Sequence, residues 1–334
     1  MGISRLLLVT AVAVALVGCE RGAPEVVVYT SVDQVFSEPV LRAFERASGV
    51  RVRAVFDTEE TKSTGVLNRL IAEAEHPRAD VFWSGDPVRP FLLIKRGLVE
   101  PYVSPEAAAI PAAYRAADGT WTGAAARARV LLVNRKRLGS RPPPRSIRDL
   151  ADPRWRNEGT IANPLFGTTT MHAAALFSAW GDEKAQAFFA ALRDNGVEVA
   201  SSNGEVKRLV VAGEATFGLT DTDDAHVAVQ SGAEVETVYP DQSDLGALVM
   251  PTSVVLLARA PHPEAGRRLI DFLLSAEAER MMAESAAHMP LRADVATPAG
   301  VRSVAEIRAM QVDYGRLGEV MEEIQPWLRG WTGF

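Results

Sequence analysis

The chain has 334 residues, 47% of them hydrophobic and 23% charged, with 36 Lys and Arg against 42 Asp and Glu for a net charge of −6. An acidic balance of this kind excludes a nucleic-acid binder built on a basic surface, and a single cysteine excludes an intrachain disulfide. The length exceeds what one hydrophobic core usually serves, so two lobes are expected.

In chain order, Arg5 precedes an apolar run from Leu6 to Val17, which closes on Leu16-Val17-Gly18-Cys19. A charged start, an apolar core of roughly 7–15 residues and small or aliphatic residues before a cut form an export signal. The run is shorter than the ~20 apolar residues that cross a bilayer. The segment resembles the lipobox of bacterial lipoproteins, which implies that residues 1–18 are a signal peptide and that Cys19 carries a lipid as the first mature residue. A plain signal peptide with an incidental cysteine and an uncleaved anchor are the alternatives. Residues 19–25 then form a tether, and the mature chain keeps 35 basic and 42 acidic side chains, a net of −7.

Val26-Val27-Val28-Tyr29 begins the folded body as a buried strand, Val40 to Ser48 reads as a helix stopped by Gly49, and Val50 to Phe56 alternates as a strand. Val66, Leu67, Leu70, Ile71 and Ala74 recur at helical spacing, and Ala79 to Trp83 is a short apolar strand. This alternation predicts a parallel, helix-covered sheet. Arg129 to Asn134 reads as another strand, with a chain reversal between lobes expected near Gly123 to Arg129 and a surface connection at Arg141-Pro142-Pro143-Pro144. In the second half, helices are expected at Thr169–Trp180, Glu183–Asn195 and Glu205–Ala212, each closed by glycine. Strands follow at Ala215–Leu219 and Val235–Tyr239. Ala247–Ala258 is long enough to cross between lobes, and helices follow at Pro263–Leu274 and Ala276–Ala287. Residues 300–334 read as terminal helices on the second lobe, with Trp327 and Trp331 in packing roles. The expected lobes are 26–125 plus 246–290 and 126–245 plus 291–334.

The chain has no Gly-x-Gly-x-x-Gly, Walker loop, His-Glu-x-x-His or Gly-x-Ser-x-Gly. Its five histidines, His76, His172, His226, His262 and His288, lack metal-ligand spacing. Catalysis has no visible centre, and no enzyme activity is expected.

Open α/β sheets bind ligands beyond the carboxyl ends of their strands, and four segments sit there. The first, Tyr29 to Gln34, offers Thr30, Ser31 and Asp33. The second, Thr58 to Gly65, holds Glu60, Lys62, Ser63 and Thr64 at a helix start, where hydroxyls, an ammonium and backbone N–H groups suit an anion or simply cap the helix. The third, Asn163 to Thr170, sets Asn163, Gly167, Thr168 and Thr169 at another helix start. In the fourth, Thr220 to Asp224, three carboxylates, Asp221, Asp223 and Asp224, flank Thr222. Three exceed what one cap needs, so a cation, an ammonium or an arginine must neutralise them. Arg127 and Arg129 are placed to do so or to face the ligand themselves. Trp83 and Tyr239 are candidates for the cleft wall, with core packing as the other reading.

From Val26 to about Pro290 the chain resembles the periplasmic solute-binding proteins of bacterial ABC importers, in the subgroup labelled iron(III)-binding. The resemblance rests on Val-Tyr-Thr-Ser at 28–31, Ala-Asp-Val-Phe-Trp at 79–83, Ala-Arg-Ala-Arg-Val-Leu-Leu-Val-Asn at 126–134 and Asn-Pro-Leu-Phe-Gly-Thr-Thr at 163–169. Gly-Leu-Thr-Asp-Thr-Asp-Asp-Ala at 218–225 and Tyr-Pro-Asp-Gln at 239–242 complete it. It implies an α/β, two-lobed type II periplasmic-binding-protein fold, each lobe a mixed sheet flanked by helices, closing on one ligand in the cleft between them. It also implies delivery to an ABC permease and its ATPase. Ferric-ion binders of this family carry adjacent tyrosines where this chain has Asp221 to Asp224, and a histidine near Asp33 or Gln34. The iron label therefore does not carry over by residue, although Tyr29 or Tyr239 would be the phenolates if it did.

The expectation is a monomeric, exported and lipid-anchored receptor that needs no cofactor and holds a small anionic or zwitterionic solute of the sugar-phosphate or aminophosphonate type. Ferric iron with a synergistic anion is the alternative ligand, with Asp221, Asp223 and Asp224 as the metal ligands if any. A sensory lipoprotein and an exported metal-dependent hydrolase using the same three carboxylates are the rival classes.

Overall fold

The computed structural model describes residues 24–57 and 65–333. Cys19 and the segment holding Glu60, Lys62, Ser63 and Thr64 lie outside the described residues. The strands follow one continuous path, β2-β1-β3-β10-β5-β8-β6-β7. Its first half contains β1 (Glu25–Thr30), β2 (Arg51–Phe56) and β3 (Val81–Ser84), paired in parallel, with Val28 opposite both Ala54 and Val81. Its second half contains β6 (Gly159–Ala162), β7 (Glu198–Ala200) and β8 (Phe217–Asp221), again parallel. Apolar runs such as Val26 to Tyr29 suit strands covered on both faces.

The two halves are joined by β5 (Thr122–Asn134) and β10 (Val249–Leu257), which run antiparallel to each other and to the strands they meet. The sheet is therefore mixed, a correction to the parallel sheet that alternation alone predicts. The early part of β5 pairs with β10, and its later part pairs with β8 and β9 (Val235–Val238). The expected reversal at Gly123 to Arg129 is instead extended strand. Its small residues are there for space: a Cβ on Gly123 would come within 3.0 Å of Leu291 Cδ1, Pro251 Cβ and Tyr114 O. One residue is extra in this strand. The register slips between Pro251 and Thr252, opposite Ala125, which takes the left-handed conformation at φ +53°.

Helices cover both faces. The first, α1 (Gln34–Ser48), starts six residues before the sequence placed it and runs through Pro39. Ser37 Oγ bonds the carbonyls of Val32 and Asp33 and ties that first turn down. Together with α9 (Pro263–Leu273) and α10 (Ala276–Ala286), α1 buries Val26, Val28, Phe44 and Leu269, each 2% exposed or less, against one face of the first half-sheet. Each such side chain contributes roughly 1.5–3 kcal/mol. In the second half, β6 leads into α5 (Gly167–Trp180), β7 into α7 (Asn203–Ala212) and β8 into α8 (Thr222–Gln230). The last helix, α11 (Tyr314–Thr332), lies against α5 in one lobe and α3 (Arg89–Ile94) in the other. Trp327 and Trp331 pack edge-on against Phe189, and the Trp331 indole N–H donates to Phe189 O at 2.8 Å. Among the described residues, no helix is long and apolar enough to cross a membrane.

Candidate functional site

The carboxyl ends of β1, β3, β6 and β8 meet where β5 passes from one half-sheet to the other. On the first lobe, Thr30 is buried and its hydroxyl accepts from Val32 N at 3.0 Å. Ser31 Oγ accepts from Gly85 N at 2.9 Å, and Gly85 has no room for a side chain because a Cβ would lie 2.8 Å from Ser31 O. Asp33 is the N-cap of α1 through its backbone carbonyl, with no side-chain cap bond, and acts electrostatically on Arg127 and His288.

Arg127 bridges the lobes. Its Nη2 donates to Gly85 O at 3.1 Å on one side, and its Nη1 lies 3.4 Å from Asp223 Oδ2 and 3.7 Å from Asp221 Oδ2 on the other. Burial alone would lower this guanidinium's pKa, but Asp223, Asp221 and Asp33 outweigh it and raise it.

Arg129, fully buried, organises the second lobe. Its Nη1 donates to Asp221 Oδ1 at 2.7 Å, Asn203 Oδ1 at 3.0 Å and Thr168 Oγ1 at 3.1 Å, and its Nη2 donates to Thr169 Oγ1 and Leu219 O at 3.3 Å. Thr168 donates to Asp221 Oδ2 at 2.9 Å and accepts from Asn203 Nδ2 at 2.8 Å. The N-termini of α5, α7 and α8 are thereby tied to one point, where their dipoles favour negative charge. Thr222 Oγ1 accepts from Ala128 N at 3.2 Å. The third carboxylate, Asp224, pairs with Lys207 at 3.0 Å. Burial and the neighbouring Asp223 hold its carboxyl above the usual range against the pull of Lys207. Each of the three aspartates thus has a cation of its own, which answers the repulsion their crowding poses. Among the described residues, no group of three or more His, Cys, Asp or Glu is arranged to hold a metal ion.

A family model for the bacterial extracellular solute-binding proteins matches residues 77–314. The chain belongs to that family. A periplasmic protein of Salmonella typhimurium named for binding 2-aminoethylphosphonate is 28% identical over 99% of this chain and 94% of its own. Iron-bound HitA from Pseudomonas aeruginosa superposes with a TM-score of 0.81 at 22% identity, covering 92% of this chain and 99% of its own. AfuA from Actinobacillus pleuropneumoniae, solved with fructose-6-phosphate, gives 0.77 at 22% identity over 93% and 99%. The two-lobed type II fold is shared with both solved structures.

In this solute-binding protein several expected positions fall away from the cluster. Trp83 is 1% exposed, packed in the core of the first lobe with its indole N–H 3.3 Å from Thr252 Oγ1. Tyr239 is buried beneath Arg302, and no bond links it to the aspartates. Both are core residues rather than cleft wall, because each ring is needed to fill its lobe. Asn163 closes a local turn, its Oδ1 accepting from Leu165 N at 3.0 Å. Gly167 starts α5 exposed at φ +58°. The Tyr29 hydroxyl donates to Glu73 at 2.9 Å under Arg69, and burial pushes its pKa up to about 12. Burial does the same to Tyr239, so neither phenol is poised as a phenolate.

Sequence reasoning passed over Asn203, Gly85, Lys207 and His288. The run Ser202-Asn203-Gly204-Glu205 caps and opens α7 just after β7, so the strand-end rule that found the other segments would have found Asn203 had the helix been started two residues earlier.

Proposed function

We propose that this protein captures a small solute bearing a phosphonate or phosphate group together with a cationic or hydroxylated tail, and hands it to the permease and ATPase of an ABC importer. Arg127 carries this reading: it joins the two lobes at the cleft floor, flanked by Asp33 and Asp223, so groups of both signs stand within one small area. A zwitterion of the aminophosphonate type fits that pattern. Its phosphonate faces Arg127 and the helix N-termini, and its ammonium faces the part-exposed carboxylate of Asp223. The relative named for 2-aminoethylphosphonate supports the same class. Ferric iron is disfavoured by the chemistry of the residues, since Asp221 and Asp224 are held by Arg129 and Lys207, Asp223 alone is part-exposed, and Tyr29 and Tyr239 are buried away from it.

Calorimetric titration of the mature chain with 2-aminoethylphosphonate, fructose-6-phosphate, inorganic phosphate and ferric citrate tests this. Saturable binding of the aminophosphonate, tighter than that of phosphate by tenfold or more, is expected. Preference for fructose-6-phosphate would move the assignment to sugar phosphates. Iron binding with a visible charge-transfer band would overturn it.

The reading includes binding without turnover, export, and a lipid on Cys19. Labelling with radioactive palmitate, abolished by Cys19→Ser, tests the anchor. It also includes lobes drawn at 26–125 plus 246–290 and 126–245 plus 291–334, with α11 laid across both. Limited proteolysis whose cuts cluster near residues 125, 245 and 290 would support those boundaries.

A further inference from the structure

His288 belongs to none of the strand-end segments, yet the fold delivers it to the cleft floor. Ala126 on β5 exchanges two backbone hydrogen bonds with Met289, Ala126 N to Met289 O at 2.8 Å and Met289 N to Ala126 O at 2.6 Å, in an antiparallel bridge. One step along in opposite directions, Arg127 and His288 become cross-strand neighbours, whose Cβ atoms in such pairs lie about 4.5–5.5 Å apart. Arg127 and Asp33 are the charged groups that act on the His288 ring.

This placement is held firmly. The buried Glu279 carboxylate accepts from Ala125 N at 3.1 Å, Leu291 N at 3.2 Å and Arg292 N at 3.0 Å, clamping the segment after α10 onto the bulge of β5. Ala287, left-handed at φ +53°, turns the chain from α10 into that segment. A side chain fixed by its neighbours in this way loses little further freedom on meeting a ligand.

Two polar atoms here are unspent. Among the described residues, Arg127 Nε and His288 Nδ1 are buried and have no hydrogen-bond partner, although His288 is 96% buried and such atoms are nearly always paired. Burial, and then Arg127, push the imidazole pKa down to about 3, so the ring is neutral and carries one N–H. Arg129 Nε and His172 Nδ1 also lack partners, but Arg129 is fully enclosed and His172 lines a cavity of about 20 Å³ with Ile161, Leu176 and Phe189. The Arg127 side chain is 21% exposed and lies between the two lobes.

We infer that His288 and Arg127 form an oxyanion subsite at the cleft floor, in which the imidazole Nδ1–H and the guanidinium Nε–H hold one oxygen of a phosphonate or phosphate group. The subsite rests on the ligand class proposed above. With the proton on Nδ1, it adds a neutral donor that favours an oxyanion of fixed geometry over a bare metal cation, because an N–H cannot ligate a cation.

The test uses the mature chain, 2-aminoethylphosphonate and inorganic phosphate. His288→Leu is expected to weaken both by about ten- to a hundredfold, the range for a hydrogen bond to a charged group. His288→Asn, whose amide reaches the position of Nδ1, should retain affinity to within about threefold, whereas His288→Gln should behave like Leu. Because His288→Leu removes a buried side chain and could misfold, the wild-type chain labelled with ¹⁵N-histidine supplies a second readout. The imidazole ¹⁵N resonance missing from His288→Asn should shift on saturation with phosphonate. Wild-type binding with that resonance unmoved, or with His288→Leu folded and unimpaired, overturns the subsite alone. No wild-type binding of either probe overturns the ligand class and the subsite with it.

Discussion

Arg127 and Arg129 lie two residues apart on β5 and so leave the same side of the strand, but they are spent in opposite ways. Arg129 has no exposed surface, and five acceptors from three segments of the second lobe, the starts of α5 and α7 and the end of β8, fill its two terminal nitrogens. Arg127 reaches Asp223 and Asp221 only at 3.4 and 3.7 Å, and its one short bond goes to a carbonyl of the other lobe. Each has a buried neutral histidine beside it, His172 for Arg129 and His288 for Arg127, both pushed down to about 3 by burial first and the arginine second. A buried ion pair that is enclosed, with both terminal nitrogens filled, reads as scaffold. The same pair at a lobe junction, part-exposed and held by longer contacts, is the one we propose for recognition.

The sharpest way to break this contrast is to remove each guanidinium in turn. Arg129→Met leaves Asp221 buried without its close partner, and breaking such a pair costs about 3–5 kcal/mol. The melting temperature should fall by on the order of 10 °C. Arg127→Met should lower the melting temperature little and weaken 2-aminoethylphosphonate by about tenfold or more in calorimetry. If the two variants exchange these effects, the division into scaffold and recognition fails.

How far that division can be read from sequence depends on distance along the chain. The order of strands and helices was legible because apolar periodicity is local, and the strand-end rule brought out Ser31, Thr168 and the Asp221 to Asp224 cluster. Which arginine is structural was not legible, because Arg129 is defined by Asp221, 92 residues away, and by Asn203, 74 residues away. The early part of β5 was hidden because Gly123 to Ala126 are small residues with weak strand preference, chosen for the close approach of Leu291 and Pro251. His288 gave no signal, since its place comes from a single backbone bridge at Met289 and a clamp from Glu279. Trp83 and Tyr239 misled for the converse reason: an aromatic at a strand end fills a core as readily as it lines a cleft.

The histidines sharpen the contrast through pH. An imidazole held near pKa 3 in the folded chain and 6.5 in the unfolded chain is protonated only on unfolding between those values. The unfolded state binds more protons there, so the stabilisation present above about pH 6.5 is lost as pH falls towards 3. Each histidine adds at most about 1.4 kcal/mol per pH unit to the slope. His172→Phe should flatten the fall in urea midpoint between pH 6 and 4 by about one proton's worth and leave phosphonate affinity at pH 7.5 unchanged. A large loss of affinity would place His172 in the cleft after all.

The smallest expected effect concerns the outer edge of the cluster. Lys207 and Asp224 are 26% and 21% exposed at their side chains, so solvent screens their pair and its worth is about 1 kcal/mol or less. Lys207→Gln should therefore change the melting temperature by only about 2–4 °C. It has a second consequence. Asp224 is already held above the usual carboxyl range by burial and by Asp223, and Lys207 is what pulls it back. Without the ammonium its folded pKa rises further, so the variant should lose stability relative to the parent as pH rises from 4 to 7, where a neutral carboxyl must ionise beside two other aspartates. Thr220 and Thr222 stay in place around it, bonded to Asn203 O and Ala128 N, so phosphonate affinity at pH 7 should fall by less than the effect of Arg127→Met. An affinity loss as large as that of Arg127→Met would extend the recognition half of the floor outward to α7 and α8.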